Sequence, residues 1–235
     1  MATECVRLAR GRRIRLTREN ECGAVVEGPN STLTTDAIVT GTITPNYADP
    51  TEISILNGNG DECISDRSRP ALRWLDINLN VCVWDPWFIN LVTGDPVVVD
   101  DATPTPNTVG WSIDTDLTGS ANFGMEIWSN ITGQACDPGG NPKYQYWLFP
   151  WVKDAQWGEW VPYQNDGITA TFTARAVAGG AWGVGPYDDV LRSAVTPATL
   201  TPLLTPIGAT QPMRTITTSA PLPAVACGAT VLPVP

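Results

Sequence analysis

The feature that most constrains the fold is an alternation of apolar and polar residues with a period of two. From Leu75 to Val83, leucine, isoleucine and valine occupy every second position, with aspartate, asparagine and cysteine between them. A second run extends from Ile168 to Ala176 and places mainly threonine between its apolar residues. Because successive side chains of a β-strand point to opposite faces, each run predicts a strand with one buried face.

Weaker alternation and one capping pattern predict the remaining elements. One short helix is expected after Asp85, a favoured N-cap residue, with Pro86 in its first turn and Gly94 just beyond its end. Its Trp87 and Leu91 side chains should pack on the sheet, so the fold class is mainly β with one short α-helix. Further strand candidates cover residues 4–10, 12–18, 33–44, 51–56, 121–128 and 144–152.

All ten tryptophans lie between Trp74 and Trp182, and this window is therefore predicted to contain the densest part of the core. An alternative interpretation is a platform of exposed tryptophans that binds a polysaccharide. The long segment 47–70 is expected to pair partly as a hairpin through its Asn-Gly turns. A long loop on a compact domain is often a contact device.

The C-terminal part of the chain differs in composition from the rest. Residues 195–235 contain eight of the 21 prolines, which forbid a long helix and disfavour a central strand. The sequence thus predicts a β domain over residues 1–194 and a proline-rich, extended C-terminal arm over residues 195–235. The arm is expected to lie on a neighbouring subunit, and a mucin-like linker is the alternative.

The missing residue types exclude several kinds of chemistry. With no histidine among 235 residues, Ser-His-Asp and Cys-His catalysis and the commonest zinc sites are ruled out. Neither cysteine nor carboxylate spacing suggests a metal site, so no catalytic, cofactor or metal residue is predicted. A pair of carboxylates could still act alone. The chain is nevertheless expected not to be an enzyme.

The charge of the chain and its lack of targeting signals limit the kinds of partner that we expect. The net charge is −10, although six arginines and only two glutamates occur in residues 1–20. The remaining body is acidic, so it should repel nucleic acid and let DNA slide past. No apolar signal sequence or membrane-spanning run of about 18 residues occurs. In the reducing compartment that this implies, the six cysteines are expected to be free, buried thiols, with a later Cys5–Cys22 pair left open.

Several segments together carry a family resemblance over most of residues 5–192. They are CVRLARGRRIRLTRENECGAVVEG, NGNGDEC, LRWLDINLNVCVWDPWFINLVTG, ANFGMEIWSN, YWLFPWV and GGAWGVGPYDDVL, in this order. In order and spacing the chain resembles the major tail tube proteins of siphophages that infect actinobacteria. The proline-rich end after Val195 lies outside the resemblance.

The resemblance implies a tail-tube-type β-sandwich or barrel, with the helix at 85–93 on its flank. Six copies would form a ring whose strands join into an inner β-barrel, and stacked rings would form a tube for genome ejection. Tape measure, terminator and distal tail proteins would be partners, DNA would pass through an acidic lumen, and assembly would occur in the host cytoplasm. The loop at 47–70 would reach a neighbouring subunit or ring, and strands 33–44 and 72–83 are the candidates for the inner wall. Another virion protein, such as a terminator, decoration or minor tail protein, is the alternative within virions.

Overall fold

The computed structural model describes residues 7–82, 85–117, 121–133, 136–160, 162, 165, 167–180, 190–203 and 205–232. Within them the chain is mainly β, as predicted, with fifteen strands and one helix. The elements in chain order are β1 Arg7–Glu19, β2 Gly28–Thr35, β3 Ile38–Tyr47, β4 Glu52–Leu56, β5 Glu62–Arg67, β6 Leu72–Val81, α1 Pro86–Thr93, β7 Val97–Val99, β8 Thr108–Trp111, β9 Asn122–Thr132, β10 Tyr144–Trp160, β11 Ala170–Ala176, β12 Leu191–Arg192, β13 Leu200–Thr201, β14 Arg214–Thr218 and β15 Thr230–Leu232.

One large antiparallel sheet organises the molecule, with the strand order β15-β2-β1-β9-β10-β11-β6-β3. The long strand β10 belongs to both halves of this sheet. Its first part pairs with β9 and β14, and its second part, from Val152 onward, pairs with β11. The register of β10 with β9 shifts between Phe149 and Val152, in the short stretch that contains Pro150. Three small two-stranded sheets, β4-β5, β7-β8 and β12-β13, accompany the large one.

The main core lies between the two halves of the large sheet. Buried side chains of β1 and β2, such as Leu16 and Leu33, belong to the same cluster as Ile77 of β6 and Phe172 of β11. Strands β2 and β6 are separated by four others in the strand order, so they can share a cluster only if the sheet folds over on itself. The structure is thus a sandwich whose two layers are halves of one sheet.

The helix α1 closes one side of this core, and its predicted signals are confirmed. The Asp85 side chain accepts a hydrogen bond from the Trp87 amide at 2.9 Å, and Gly94 ends the helix with a φ of 85°. Phe88 and Leu91 are buried in the core, while Trp87 packs at its border. No described helix is long and apolar enough to cross a membrane.

A second, smaller cluster covers the opposite face of β9 and β10. Trp128, Tyr146 and Leu148 are buried there beneath residues of the C-terminal segment, including Ile216 and Leu222. This segment contributes β14 to the large sheet beside β10, and β15 beside β2. It therefore packs on its own chain, which differs from the expected arm extending from the domain. Isolated apolar residues between prolines, each placed over the sheet, provide the contact.

Two strand predictions need correction. The segment 33–44 is not one strand, because β2 ends at Thr35 and β3 begins at Ile38 in the other half of the sheet. In the opposite sense, the two strands predicted at 4–10 and 12–18 form the single strand β1 over their described part. Its pairing with β9 is irregular on both sides of Gly11, where the predicted break lies.

The expected burial of the cysteines is also wrong for those that the structure describes. Five thiols are free, as predicted, but all five are exposed to solvent. Cys63 lies in the exposed β4–β5 hairpin, Cys82 directly after β6, and Cys136 in an isolated bridge with Pro142. They are Cys22, Cys63, Cys82, Cys136 and Cys227, while Cys5 lies outside the described residues.

Candidate functional site

One face of the half-sheet formed by β3, β6, β11 and the end of β10 is mainly polar. Its rows follow directly from the strand registers: Thr42 lies beside Asn78, which lies beside Thr173, which lies beside Gln156. The opposite face of β6, β11 and β10 belongs to the core, whereas β3 is largely exposed on both faces and contributes only Ile38 at its start. Period-two alternation thus creates a polar wall backed by a hydrophobic layer. We call it the polar face.

The polar face is concave and encloses a groove of about 850 Å³. Its charges are paired across the strands rather than concentrated. The Arg175 guanidinium lies 3.7 Å from a carboxylate oxygen of Asp76 and 3.7 Å from one of Asp154. It also lies over the Trp74 ring, 4.9 Å from the centroid, and Trp74 Nε1 donates a hydrogen bond to Asp76 at 2.9 Å. These contacts hold the long arginine side chain against the wall.

Strand β10 reaches this face through an irregularity. Its register with β11 shifts between Lys153 and Gln156, and Asp154 there has a positive φ of 55°. Bulges of this kind turn side chains toward a new face and increase the local twist of a strand. The bulge brings the Asp154 carboxylate within reach of Arg175, which completes the charge pairing of the wall.

Strand β3 is the terminal strand of the sheet on this side, in the part of the chain that the structure describes. Thr40, Thr42 and Thr44 are exposed, and so is Val39. Pro45 lies in this strand, and proline is largely confined to edge strands because it has no backbone N–H to donate to a ladder on both sides. An edge strand offers backbone N–H and C=O groups to another strand, so it needs either protection or a partner.

The segment predicted as a contact loop forms the β4–β5 hairpin, and every residue from 51 to 73 is exposed. The hairpin closes through a turn in which the Asn57 side chain accepts hydrogen bonds from the amides of Asn59 and Asp61, both at 2.9 Å. Neither strand packs on the described part of the body, since every residue of both is exposed. A two-stranded hairpin alone in water is only marginally stable, so this one is expected to have a packing partner.

Groups with shifted pKa values lie away from the polar face and stabilise local structure. The backbone amide of Asn141 lowers the pKa of Asp137 to about 2, and hydrogen bonds from Asn107 lower the pKa of Asp100. Burial lowers the pKa of Arg18, which donates a hydrogen bond to Asn90 at 2.6 Å. Among the described residues, no group of three acidic or thiol side chains could hold a metal ion.

The described tryptophans mostly pack against one another or against the core. Trp111 stacks on Trp157 with ring centroids 4.7 Å apart, and Trp157 in turn lies 4.6 Å from the Phe172 ring. Trp128 is buried in the smaller cluster. Core packing, as predicted, therefore accounts for these rings. Trp84 and Trp182 lie outside the described residues.

The sequence predicted part of this surface. Of the two inner-wall candidates, 72–83 corresponds to β6 up to Val81, and the second half of 33–44 corresponds to β3. The contributions of β11 and β10 to the same face were missed. The alternating threonines at Thr171 and Thr173 were the available signal, since they identify the polar side of β11.

Comparisons with known proteins add little. No family model matches the sequence, and no curated protein matches it. A chain of a solved structure, the PVC sheath-tube complex of an extracellular contractile injection system in its extended state, is similar at 11% sequence identity. The similarity covers 70% of this chain and 83% of that chain, with a TM-score of 0.30. A similarity with so low an identity and TM-score assigns neither a family nor a function to this chain.

Proposed function

We propose that this chain is a structural subunit of a phage tail, and specifically the major tail tube protein, which forms stacked hexameric rings around a channel. The observation that carries the proposal is the polar face: four adjacent strands with mainly polar side chains on one side, three of which have the core on the other. The sequence resemblance over most of residues 5–192 supports the same assignment.

A ring of six such faces would form a continuous inner β-barrel. Each copy would contribute β3, β6, β11 and the end of β10, and the exposed edge of β3 would pair with the next copy. Pairing of this kind satisfies the backbone groups of an edge strand and removes the risk of uncontrolled aggregation. With strands roughly 4.8 Å apart and tilted by about 40°, a wall of 24 strands would be roughly 45–50 Å across at the backbone.

The proposed channel wall is close to neutral, which differs from the acidic lumen expected from the net charge. Asp76 and Asp154 both pair with Arg175, and Lys153, which lies opposite Arg175 in the β10–β11 ladder, adds a second positive charge. A wall of threonine and asparagine, with its few charges paired, offers no array of cations to hold phosphates. Low adhesion of DNA would therefore come from charge neutrality more than from repulsion.

The remaining parts of the proposal follow from the tail tube assignment. The subunit would be assembled in the host cytoplasm and reside in the virion tail. Its partners would be the tape measure, terminator and distal tail proteins. Copy number separates this function from the alternative virion proteins, because a tube contains many rings and a terminator forms about one ring.

Cryo-electron microscopy of the purified protein, at rising concentration, tests the proposal. We expect rings that stack into tubes, with six subunits per ring and the polar face lining the channel. A protein that stays monomeric at high concentration, even with tail partners present, would contradict it. So would tubes in which the polar face is buried between subunits or turned outward.

A further inference from the structure

A cleft opens between the two layers of the sandwich, beside the corner that joins β2 to β3. It has a volume of about 450 Å³ and lies between β1 and β9 on one side and β3 and β6 on the other. Ile14 of β1 and Ile127 of β9 line it from the first layer, and Leu79 of β6 lines it from the second. All three side chains belong to the main core or pack against it, so the inner walls of the cleft are apolar.

Two glycines leave room in this cleft. Gly11 of β1 pairs with Ser129 of β9, and both residues line the cleft. A Cβ added at Gly11 would meet no atom within 4 Å, so the space beside it is open. Gly41 of β3 pairs with Leu79, and a Cβ added there would lie 3.3 Å from Leu79 Cδ2. A larger residue at either position would therefore reduce the space between β1 and β3.

The rim of the cleft is positively charged. Arg10, Arg12 and Arg13 line it, whereas Asp36 is the only acid among the described lining residues. Arg13 lies 3.2 Å from Asp36 in an ion pair, but its buried Nε has no hydrogen-bond partner among the described residues. Arg12 Nε donates to the amide oxygen of Asn130 at 3.1 Å, a neutral acceptor. The rim thus keeps a net positive charge and a buried donor that the described chain leaves unsatisfied.

An apolar interior behind a cationic rim selects the chemistry of the ligand. A guanidinium binds a carboxylate through charge-assisted hydrogen bonds. An unbranched alkyl chain suits the interior because it carries no polar group that burial would leave without a partner. A peptide would bring backbone amides and carbonyls into the same space, and each of them would need a hydrogen-bond partner there. The volume of the cleft lies within the range of about 300–1,000 Å³ that is usual for small-molecule sites.

We propose that the cleft binds a medium-chain fatty acid, with the carboxylate at the arginine rim and the alkyl chain between the two layers. Arg13 Nε would donate to the carboxylate, while Ile14, Leu79 and Ile127 would contact the chain. Leu79 and its neighbour Asn78 point to opposite sides of β6, so the ligand would lie behind the polar face and not on it. The inference does not depend on the proposed tail tube function, because one copy of the chain forms the whole cleft.

A series of ligands tests the two halves of the site separately. Isothermal titration calorimetry of the full chain with hexanoate, octanoate and decanoate, each below its critical micelle concentration, measures the contribution of the alkyl chain. Each added CH₂ group should strengthen binding by roughly fourfold. Decylammonium has the chain with the opposite charge and should bind at least about tenfold more weakly than decanoate. Affinity that is independent of chain length, or equal for decanoate and decylammonium, would overturn the inference.

A substitution at the rim tests the role of the buried donor. Arg13→Gln should weaken decanoate binding at least about tenfold, which corresponds to one hydrogen bond to a charged group. The variant also loses the ion pair with Asp36, whose exposed geometry makes its contribution to stability small, and circular dichroism checks the fold. Arg7→Gln alters an exposed arginine of β1 outside the cleft and should bind decanoate like the wild type. Unchanged decanoate binding by folded Arg13→Gln would overturn the inference.

A substitution that fills the cleft tests the site of the alkyl chain without altering the arginines. Gly11→Leu adds a side chain where a Cβ meets no atom within 4 Å, so the fold should persist. Its affinity should fall more for decanoate than for hexanoate, because the longer chain needs more of the space. Gly110→Leu is the matched control in β8, where a Cβ would lie 3.9 Å from Val98 Cβ, an ordinary contact outside the cleft. Equal decanoate affinity of the two leucine variants would contradict the proposed site.

Methyl NMR of the isoleucine-labelled chain, below the concentration at which it assembles, locates the ligand. Decanoate should shift the signals of Ile14, Ile38 and Ile127 and leave that of Ile216 in the smaller cluster unchanged. Shifts of Ile216 alone would place the ligand elsewhere and overturn the inference. So would binding of phosphatidylglycerol vesicles, or of a synthetic peptide of alternating glutamate and valine, by a chain that does not bind free decanoate. The first result would indicate a lipid surface as the partner, and the second an acidic peptide.

Discussion

Arg15 and Glu126 face each other across the β1–β9 ladder and form a buried ion pair. The guanidinium donates to the carboxylate from Nε at 2.5 Å and from Nη2 at 2.8 Å, and the Tyr146 hydroxyl donates to the same carboxylate at 2.7 Å. Glu126 is completely buried. The network lies under the C-terminal segment, beside Trp128, over whose ring Arg15 is placed at 5.4 Å.

Replacing Arg15 with leucine should destabilise the chain strongly. The substitution leaves the Glu126 carboxylate buried with fewer donors, and breaking a buried pair in this way costs about 3–5 kcal/mol. Urea denaturation followed by tryptophan fluorescence measures the change in the free energy of unfolding. The matched control is Arg175→Leu, which removes two exposed ion pairs, with Asp76 and with Asp154, and should cost only about 0–1 kcal/mol. Equal effects of the two substitutions would contradict the structural role of the Arg15–Glu126 pair.

Removing the chain after Val195 should unfold or severely destabilise the domain. The sequence alone predicted a separate β domain over residues 1–194, but the deleted residues cover Trp128, Tyr146 and Leu148. Exposing a large buried side chain costs about 1.5–3 kcal/mol, so three approach the whole stability of a typical domain, about 5–15 kcal/mol. Far-UV circular dichroism of the truncated chain checks the expectation.

A point substitution separates the packing of this segment from the effect of truncation. Ile216→Asp places a charge against the smaller cluster, whereas Val225→Asp alters an exposed residue of the same segment. Only the first should lower the midpoint of urea unfolding. A truncated chain that unfolds at the wild-type urea concentration would show that the segment adds nothing to the core.

The accuracy of the sequence predictions depends on how local each signal is. The helix is specified by neighbours, because Asp85 caps the amide of a residue two positions away. The break between β2 and β3 had no such signal: the corner consists of Asp36 and Ala37, without glycine or proline. Two hydrogen bonds hold this corner. The Ala37 amide donates to Thr35 Oγ1 at 3.1 Å, and the Cys82 amide donates to the Ala37 carbonyl.

Contacts between residues that are far apart in the chain could not be predicted from the sequence. Nothing in the residues around Glu126 indicates that this carboxylate is buried, because its partner Arg15 lies 111 positions earlier. The same holds for the C-terminal segment, whose β14 pairs with Tyr144–Leu148 of β10. Proline content correctly excluded a long helix there, but it could not show that the intervening residues return to the sheet.

Gly23→Ala should be one of the most damaging glycine substitutions. A Cβ at this position would lie 2.9 Å from Trp151 Cδ2 and 3.0 Å from the Gly180 Cα, and the backbone φ is +71°. We expect about 1–2 kcal/mol from the left-handed backbone and about 1–3 kcal/mol more from the overlap. Gly60→Ala, with a φ of +86° and no atom within 4 Å, is the control that retains only the backbone cost. Thermal unfolding should rank the two, and an equal loss would mean that Trp151 moves aside freely.

The pKa of Asp137 should rise when its asparagine partner is removed. The Asn141 backbone amide donates to Asp137 at 2.8 Å and its side chain also donates, which together hold the pKa near 2 instead of the ordinary 3.8. Because the folded pKa is the lower one, this stabilisation is present above about pH 4 and is lost as the pH falls toward 2. Asn141→Ala removes the side-chain donor, so carboxyl NMR titration should show a higher pKa for Asp137. Asp100, held by Asn107, should titrate unchanged as the internal control.

If the polar face lines a channel, a positively charged side chain introduced on that face should make the assembled tube bind DNA that can enter the channel. Thr173→Arg places one such charge in the middle of the face in every copy. Each phosphate contact adds about 0.9 to the slope of log affinity against log salt, so a ring of new arginines should give a steep salt dependence. Fluorescence anisotropy with short linear duplexes measures both quantities.

Closed circular DNA separates the channel from the outer surface, because a closed circle cannot enter a tube from its end. The control Thr210→Arg adds the same charge at an exposed turn of the C-terminal segment, which covers the opposite side of the sheet. Tubes of the Thr173 variant should gain affinity for linear duplexes alone, since only these reach the new arginines. Tubes of the control should bind linear and circular DNA alike. Equal binding of both DNA forms by the Thr173 variant would place the polar face outside the channel and remove the main support for the tube proposal.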